Sequence, residues 1–184
     1  MSAHLSSLAW TLEEFLDWER GQELRYEFDG VQPVAMTGGT LRHSVMGMNL
    51  VVALDRRLQR PCRGFRGDVK IKVAENRIRY PDAIVSCADP LPLDTDILPD
   101  PVAVFEVLSP STAAFDRTVK AAEYAATPSI QVYVMLAQDR PWATIMRRTP
   151  AGWEEAAVEG LDAALALTEI GIAALPLREL YPAE

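Results

Sequence analysis

The chain has 184 residues, 49% of them hydrophobic and 24% charged, and a formal net charge of −8. That length suits one well-packed domain, 1–184, and the composition is that of a water-soluble globular protein. The acidic balance argues against a strong non-specific nucleic-acid binder, no apolar run is long enough to span a bilayer, and two histidines exclude a three-histidine zinc centre.

The N-terminus, Met1-Ser2-Ala3-His4, lacks a basic region followed by an apolar core, which predicts a cytoplasmic protein with no membrane contact. Trp10 to Trp18 carries Leu12, Phe15, Leu16 and Trp18 at helical spacing, and Thr11 with Glu14 has the form of a capping box. Leu24 to Phe28 and Val31 to Met36 flank Asp29-Gly30, which predicts a tight hairpin. Glu27 lies on its first strand and is either a third acid at the site developed below or a solvent-facing glutamate.

Thr37 to Thr40 reads as a loop, and His43 to Leu58 as a helix with a broad apolar stripe of Val45, Met48, Leu50, Val51, Leu54 and Leu58. Met46 and Met48 are expected to fill core space. His43, near the helix start, is expected to be a surface histidine of the cap region unless it turns toward Asp82. Arg56, Arg57, Arg60, Arg63, Arg66, Lys70 and Lys72 concentrate positive charge in one third of the chain, most simply as a solvated face. Cys62 and Cys87 have no metal-ligand spacing and are expected to be free thiols.

Phe65 to Val73 alternates as a half-exposed strand, with Val69, Ile71 and Val73 inward and Lys70 and Lys72 outward. Arg77 to Ser86 is the next strand and carries Asp82. Ala88 to Pro101, dense in Pro and Asp, reads as a surface loop that could act as a flap over substrate. Val102 to Leu108 is a buried-strand sequence interrupted by Glu106. A carboxylate in such a setting is costly unless a cation or donor compensates it, so Asp82 and Glu106 together suggest a cation site. Taken singly, Asp82 could instead cap a turn after Pro81, and Glu106 could pair with an arginine at a strand edge.

Ser109-Pro110-Ser111-Thr112 then starts a helix on which Asp116, Lys120 and Tyr124 recur every four residues and so share a face. Ile130 to Leu136 is a further strand. Trp142 to Arg148 and Trp153 to Val158 form a meander around Ala151-Gly152, and Leu161 to Leu180 closes the chain in short apolar pieces.

Pro81-Asp82, Glu106-Val107-Leu108-Ser109-Pro110-Ser111-Thr112, Asp116, Lys120 and Tyr124 resemble the signature of the Uma-type family of restriction-endonuclease-like proteins, within the PD-(D/E)XK nuclease superfamily. The resemblance extends to Tyr26-Glu27, Asp29-Gly30, His43-Ser44 and Leu175 to Leu180. It departs from the superfamily pattern at Leu108, where a lysine is usual; in the Uma-type family a lysine on the following helix takes that place, and Lys120 matches it. Pro128-Ser129-Ile130 and Val132-Tyr133-Val134 stand where the family tends to have Gly-Val and Tyr-Trp.

The resemblance implies an α/β, restriction-endonuclease-like core of αβββαβ order, a mixed central sheet flanked by helices, with an N-terminal β-hairpin and a C-terminal β-meander added. It implies a metal-dependent endonuclease that hydrolyses DNA phosphodiester bonds, and a possible homodimer. Asp82, Glu106 and the Val107 carbonyl would hold Mg²⁺ or Mn²⁺, and Lys120, with Glu27 as a further acid, would complete the catalytic set. The competing expectations are a catalytically inactive interaction module on the same fold, or a metal-dependent hydrolase of a small phosphoester.

Overall fold

The structure is a computed structural model that describes residues 10–36 and 38–182; the readings on Met1 to His4 and on Thr37 lie outside them. Helix α1 (Leu12–Glu19) has the expected capping box. The Thr11 hydroxyl accepts from the Glu14 N–H, and the Glu14 carboxylate accepts from the Thr11 N–H at 2.8 Å. Phe15 is thereby fixed inward and stacks on Phe28 with ring centroids 4.8 Å apart. Strands β1 (Tyr26–Phe28) and β2 (Pro33–Ala35) form the N-terminal hairpin, but its loop is wider than the Asp29-Gly30 pair. The Asp29 carboxylate accepts the N–H groups of Val31 and Gln32, each at 2.8 Å, and so closes a loop from Asp29 to Gln32.

Helix α2 (Leu41–Asp55) is capped by Thr40, whose hydroxyl accepts from the His43 N–H. The expected broad stripe divides. Met46, Leu50, Ala53 and Leu54 face the core, whereas Val45 and Met48, with Leu41 and Val52, lie on the exposed outer face. α2 rests on one face of a sheet, so only the side turned to that sheet is buried.

The two long strands expected across 65–73 and 77–86 are each broken in the middle. They resolve into β3 (Arg63–Arg66) and β4 (Ile71–Val73), then β5 (Arg77–Arg79) and β6 (Ala83–Ser86). β4 and β5 join the hairpin in a four-stranded sheet of order β2-β1-β5-β4. The chain thus crosses between sheets at Gly67 and again at Tyr80-Pro81-Asp82. A Cβ on Gly67 would stand 3.1 Å from the Pro81 carbonyl oxygen, so glycine is what lets the two crossings touch. Lys70, expected outward, is buried just before β4 between Glu19 and Asp96, each 2.7 Å away.

The second sheet is completed by β7 (Pro101–Leu108), β8 (Val132–Ala137), β9 (Trp142–Thr149) and β10 (Gly152–Glu159), in the order β10-β9-β8-β7-β6-β3. Only β7 and β8 run parallel, joined through α3 (Ala113–Phe115), a π-helical turn (Asp116–Lys120) and α4 (Ala121–Ala126). α2, then β3, β6 and β7, then α3 to α4, then β8 is the expected helix, three-strand, helix, strand core. β11 (Ala164–Leu167) and β12 (Ile172–Pro176) pair as a small separate sheet. Their apolar side chains pack with α2 on one face of the large sheet, while Tyr124, Ile130 and Tyr133 fill the other.

Two further expectations are corrected. The loop between β6 and β7 is rooted at the sheet end opposite Asp82 and Glu106, and its middle is tied down by the Asp96–Lys70 pair and by Leu98 N–H donating to the Lys70 carbonyl. Cys62 and Cys87 are joined in a disulfide rather than free. The β3–β6 register, with Arg63 opposite Ser86, brings the two residues that flank this pair side by side. Among the described residues, no helix is long and apolar enough to cross a membrane.

Candidate active site

Asp82 sits where the chain leaves the four-stranded sheet and enters β6. The antiparallel β6–β7 register, Ala83 opposite Phe105, sets it beside the end of β7. Its Oδ2 accepts from the Val107 N–H at 2.7 Å and lies 3.3 Å from His43 Nε2. His43 is therefore not the surface histidine expected; it is turned inward from the first turn of α2. The loop before α2 passes directly over the ring: a Cβ on Gly39 would meet His43 Cγ at 2.9 Å.

Glu106 and Val107 are neighbours on β7 and so point to opposite faces of the sheet. Glu106, 5% exposed, enters the face covered by α4. Its Oε1 accepts from Lys120 Nζ and from the Tyr124 hydroxyl, each at 2.9 Å. The expected single face of Asp116, Lys120 and Tyr124 is realised, with Asp116 Oδ1 3.5 Å from Lys120 Nζ. The local helix is unusual, however: the Ala121 N–H reaches back to the Asp116 carbonyl, the five-residue step of a π turn.

Glu27 belongs to this cluster and is not solvent-facing. Its Oε1 lies 3.3 Å from Lys120 Nζ and accepts from the Tyr80 N–H at 3.2 Å, and its Oε2 lies 3.5 Å from Arg79. Arg79 and Glu123 are members that the sequence reading missed. Arg79, 1% exposed, donates two hydrogen bonds to Glu123, both 2.7 Å. The signal was present as an arginine alternating with Ile78 next to Tyr80-Pro81, and as an acid three residues beyond Lys120.

Arg79 is committed to Glu123, which leaves Lys120 as the nearest cation to three carboxylates, Glu106, Glu27 and Asp116. Burial pushes the Glu106 carboxyl up to about 8. Lys120 pulls against this, and the charges of Asp82, Asp116 and Glu27 add to it. Burial favours loss of the Lys120 proton, but those carboxylates outweigh it and raise its proton affinity. The hydrogen bond to Asp82 raises the proton affinity of His43, burial opposes this, and Asp82, Glu106 and the Val107 backbone reinforce it. Burial, then Glu106, keeps the Tyr124 hydroxyl protonated. Asp116 Oδ1 is buried without a hydrogen-bond partner among the described residues.

Among the described residues, no three His, Cys, Asp or Glu side chains are grouped to hold a metal, so a closed zinc-type centre does not fit. A hard divalent cation fits the donor chemistry better. It needs one or two carboxylates and keeps its remaining positions for water and phosphate, and the surplus negative charge here favours it. Asp82, Glu106 and the Val107 carbonyl are the groups that could hold one.

A family model described as "Putative restriction endonuclease", Uma2, matches residues 12–177. The chain belongs to the Uma2 family. The relatives it matches include uncharacterized protein slr1290 of Synechocystis sp., 35% identical over 126 residues, which are 67% of this chain and 66% of that protein. Uncharacterized protein sll1609 of the same organism is 28% identical over 132 residues, 70% of this chain and 75% of that protein. The chain thus spans about two thirds to three quarters of the length of these relatives. The crystal structure of a "putative nuclease belonging to DUF820" from Anabaena variabilis superposes with a TM-score of 0.74 at 18% identity, covering 93% of this chain and 97% of that one. Its likeness establishes the restriction-endonuclease-like α/β fold. Within that Uma2 framework, Leu108 is buried, and the amine on Glu106 comes from Lys120.

Proposed function

We propose that this Uma2 protein is a divalent-metal-dependent endonuclease that hydrolyses phosphodiester bonds in DNA. The observation that carries the reading is the meeting of Asp82, from the start of β6, with Glu106 and the Val107 backbone of β7, under a buried lysine supplied by the next helix. Mg²⁺ or Mn²⁺ bound by Asp82, Glu106 and the Val107 carbonyl would polarise a phosphoryl oxygen and make an attacking water more nucleophilic.

The chain's own groups have separable roles. The Val107 N–H and His43 hold Asp82 in place through one oxygen. Lys120 and Tyr124 do the same for Glu106, and both act on Oε1, which leaves Oε2 without a protein donor among the described residues. Lys120 would also place positive charge beside the negative charge that develops on the scissile phosphate. Glu27, gripped by Arg79 and the Tyr80 N–H, also holds Lys120 in place. Asp116, on the lysine's own helix face, adds to the field that keeps it charged.

Incubation of purified protein with supercoiled DNA and Mg²⁺ or Mn²⁺ should give nicked and linear products, abolished by chelation and by Asp82→Asn or Lys120→Ala. Cleavage that survives unchanged in both variants, with a mock purification as control, would overturn the assignment.

A further inference from the structure

β3 is the terminal strand of the large sheet, and it carries Arg63 and Arg66 with Arg60 in the turn before it. Elsewhere the cations of this acidic chain are mostly engaged. Arg20, Arg57, Lys70, Arg77, Arg79, Lys120, Arg147 and Arg178 each have a carboxylate partner. Arg60, Arg63 and Arg66 make no ion pair or side-chain hydrogen bond with any described residue. Their placement relative to the acids is set by register: Arg66 stands opposite Ala83, the residue after Asp82, and Arg63 opposite Ser86 at the far end. Beyond Arg63 a cavity of about 250 Å³ is lined by Arg60, Pro61, Arg63, Ala88, Asp89 and Leu91.

We propose that this edge carries the phosphate backbone of the nucleic-acid substrate, from Arg66 beside the Asp82–Glu106 site to Arg63 and Arg60 at the cavity. The proposal rests on the nuclease reading for its substrate, and on charge complementarity for the surface. Arg63 and Arg66 are three strand positions apart, about 10 Å, roughly the axial rise of three base pairs of a duplex. Alternation puts them on opposite faces of β3, so they flank its edge from both sides. Gly64, between them, adds no side chain. Asp89 is the carboxylate among the residues that line the cavity and sets the polar limit of the path at that end. Charged residues also guard sheet edges against pairing with another edge. That role alone requires no nucleic-acid affinity, so the two accounts predict different binding.

The test is fluorescence anisotropy with labelled duplex and single-stranded DNA of about 30 nucleotides, in EDTA, between about 50 and 200 mM salt. It compares the wild type, the triple variant Arg60→Gln/Arg63→Gln/Arg66→Gln, and a control with Arg20→Gln/Arg140→Gln/Arg178→Gln. The edge variant should bind at least about tenfold more weakly at low salt, with a salt slope shallower by about 2 to 3, and the control should match wild type. Equal affinity and slope in the edge variant and wild type, or no wild-type binding, overturns the proposal. A small activated phosphodiester hydrolysed with Mn²⁺ separates the two readings. If it is cleaved equally by wild type and edge variant while DNA binding is also equal, the edge fails and the nuclease stands. If no phosphodiester is cleaved but the edge variant loses DNA binding, the nuclease fails and the edge stands.

Discussion

Two buried lysines flank the segment Tyr80-Pro81-Asp82, and their surroundings differ in a way that separates a structural clamp from the proposed active site. Lys70 lies between Glu19 and Asp96, with the Tyr80 hydroxyl donating to the other Glu19 oxygen at 2.5 Å. Arg25 lies over the Tyr80 ring, so positive and negative groups are close to balanced around a cleft of about 290 Å³. Lys120 faces three carboxylates with Asp82 close by, and Asp116 Oδ1, buried 3.5 Å from its Nζ, has no hydrogen-bond partner among the described residues. A balanced cluster ties α1, β4 and the β6–β7 loop together. A cluster with surplus acid is under electrostatic tension, which on the function proposed above a divalent cation would relieve.

The largest expected difference is in activity. Lys120→Ala or Asp82→Asn should reduce DNA cleavage by at least about 100-fold, the scale seen when a donor to developing charge is lost. Lys70→Met should leave kcat within a few-fold, and an equal loss in that variant would erase the distinction. Stability should reverse the ranking. Lys70→Met strands Glu19 as an uncompensated buried charge and should cost about 3 kcal/mol, a fall in Tm of roughly 6 to 12 °C by calorimetry. Asp116→Asn, which removes one acid from the overcrowded cluster, should leave Tm unchanged or slightly raised; a fall as large as that of Lys70→Met would show that the acid surplus is not destabilising.

A millimolar divalent ion should raise the Tm of wild type by a few degrees and leave that of Asp82→Asn unmoved. Equal shifts in both would place ion binding elsewhere. The smallest effect concerns acid. The hydrogen bond from Lys70 holds the Asp96 carboxyl below its ordinary 3.8, with burial opposing it. Its contribution is therefore complete above pH 3.8 and lost as pH falls through the lowered value. More than half of the Asp96 side chain is exposed, so Asp96→Asn should remove less than about 1 kcal/mol and shallow the acid limb of the stability profile. An unchanged acid limb would mean that the pair contributes nothing.

Local rules read from the chain were reliable where the interaction is itself local. The Thr11–Glu14 capping box, the four-residue spacing of Asp116, Lys120 and Tyr124, and the β9–β10 hairpin were all legible for that reason. Continuity misled where alternation ran through a break. The 65–73 and 77–86 segments each keep a strand-like pattern across Gly67 or Pro81, and nothing in a period of two says that the chain has changed sheets. Lys70, Met48 and the cysteines were misplaced for a related reason: whether a residue is inside depends on which other element lies over it.

By itself, then, the amino-acid order determined the two acids on apolar strands, the lysine one helix later, and membership of a fold whose elements follow in sequence. Those features depend on residue type and short-range spacing, which a linear text records. The tertiary structure alone decided that His43 turns toward Asp82, that Arg79 pairs with both Glu123 and Glu27, and that Cys62 meets Cys87. Each of those contacts joins residues brought together by sheet register or by the double crossing at Gly67 and Pro81, and burial then fixes their strength by removing the water that would otherwise screen them.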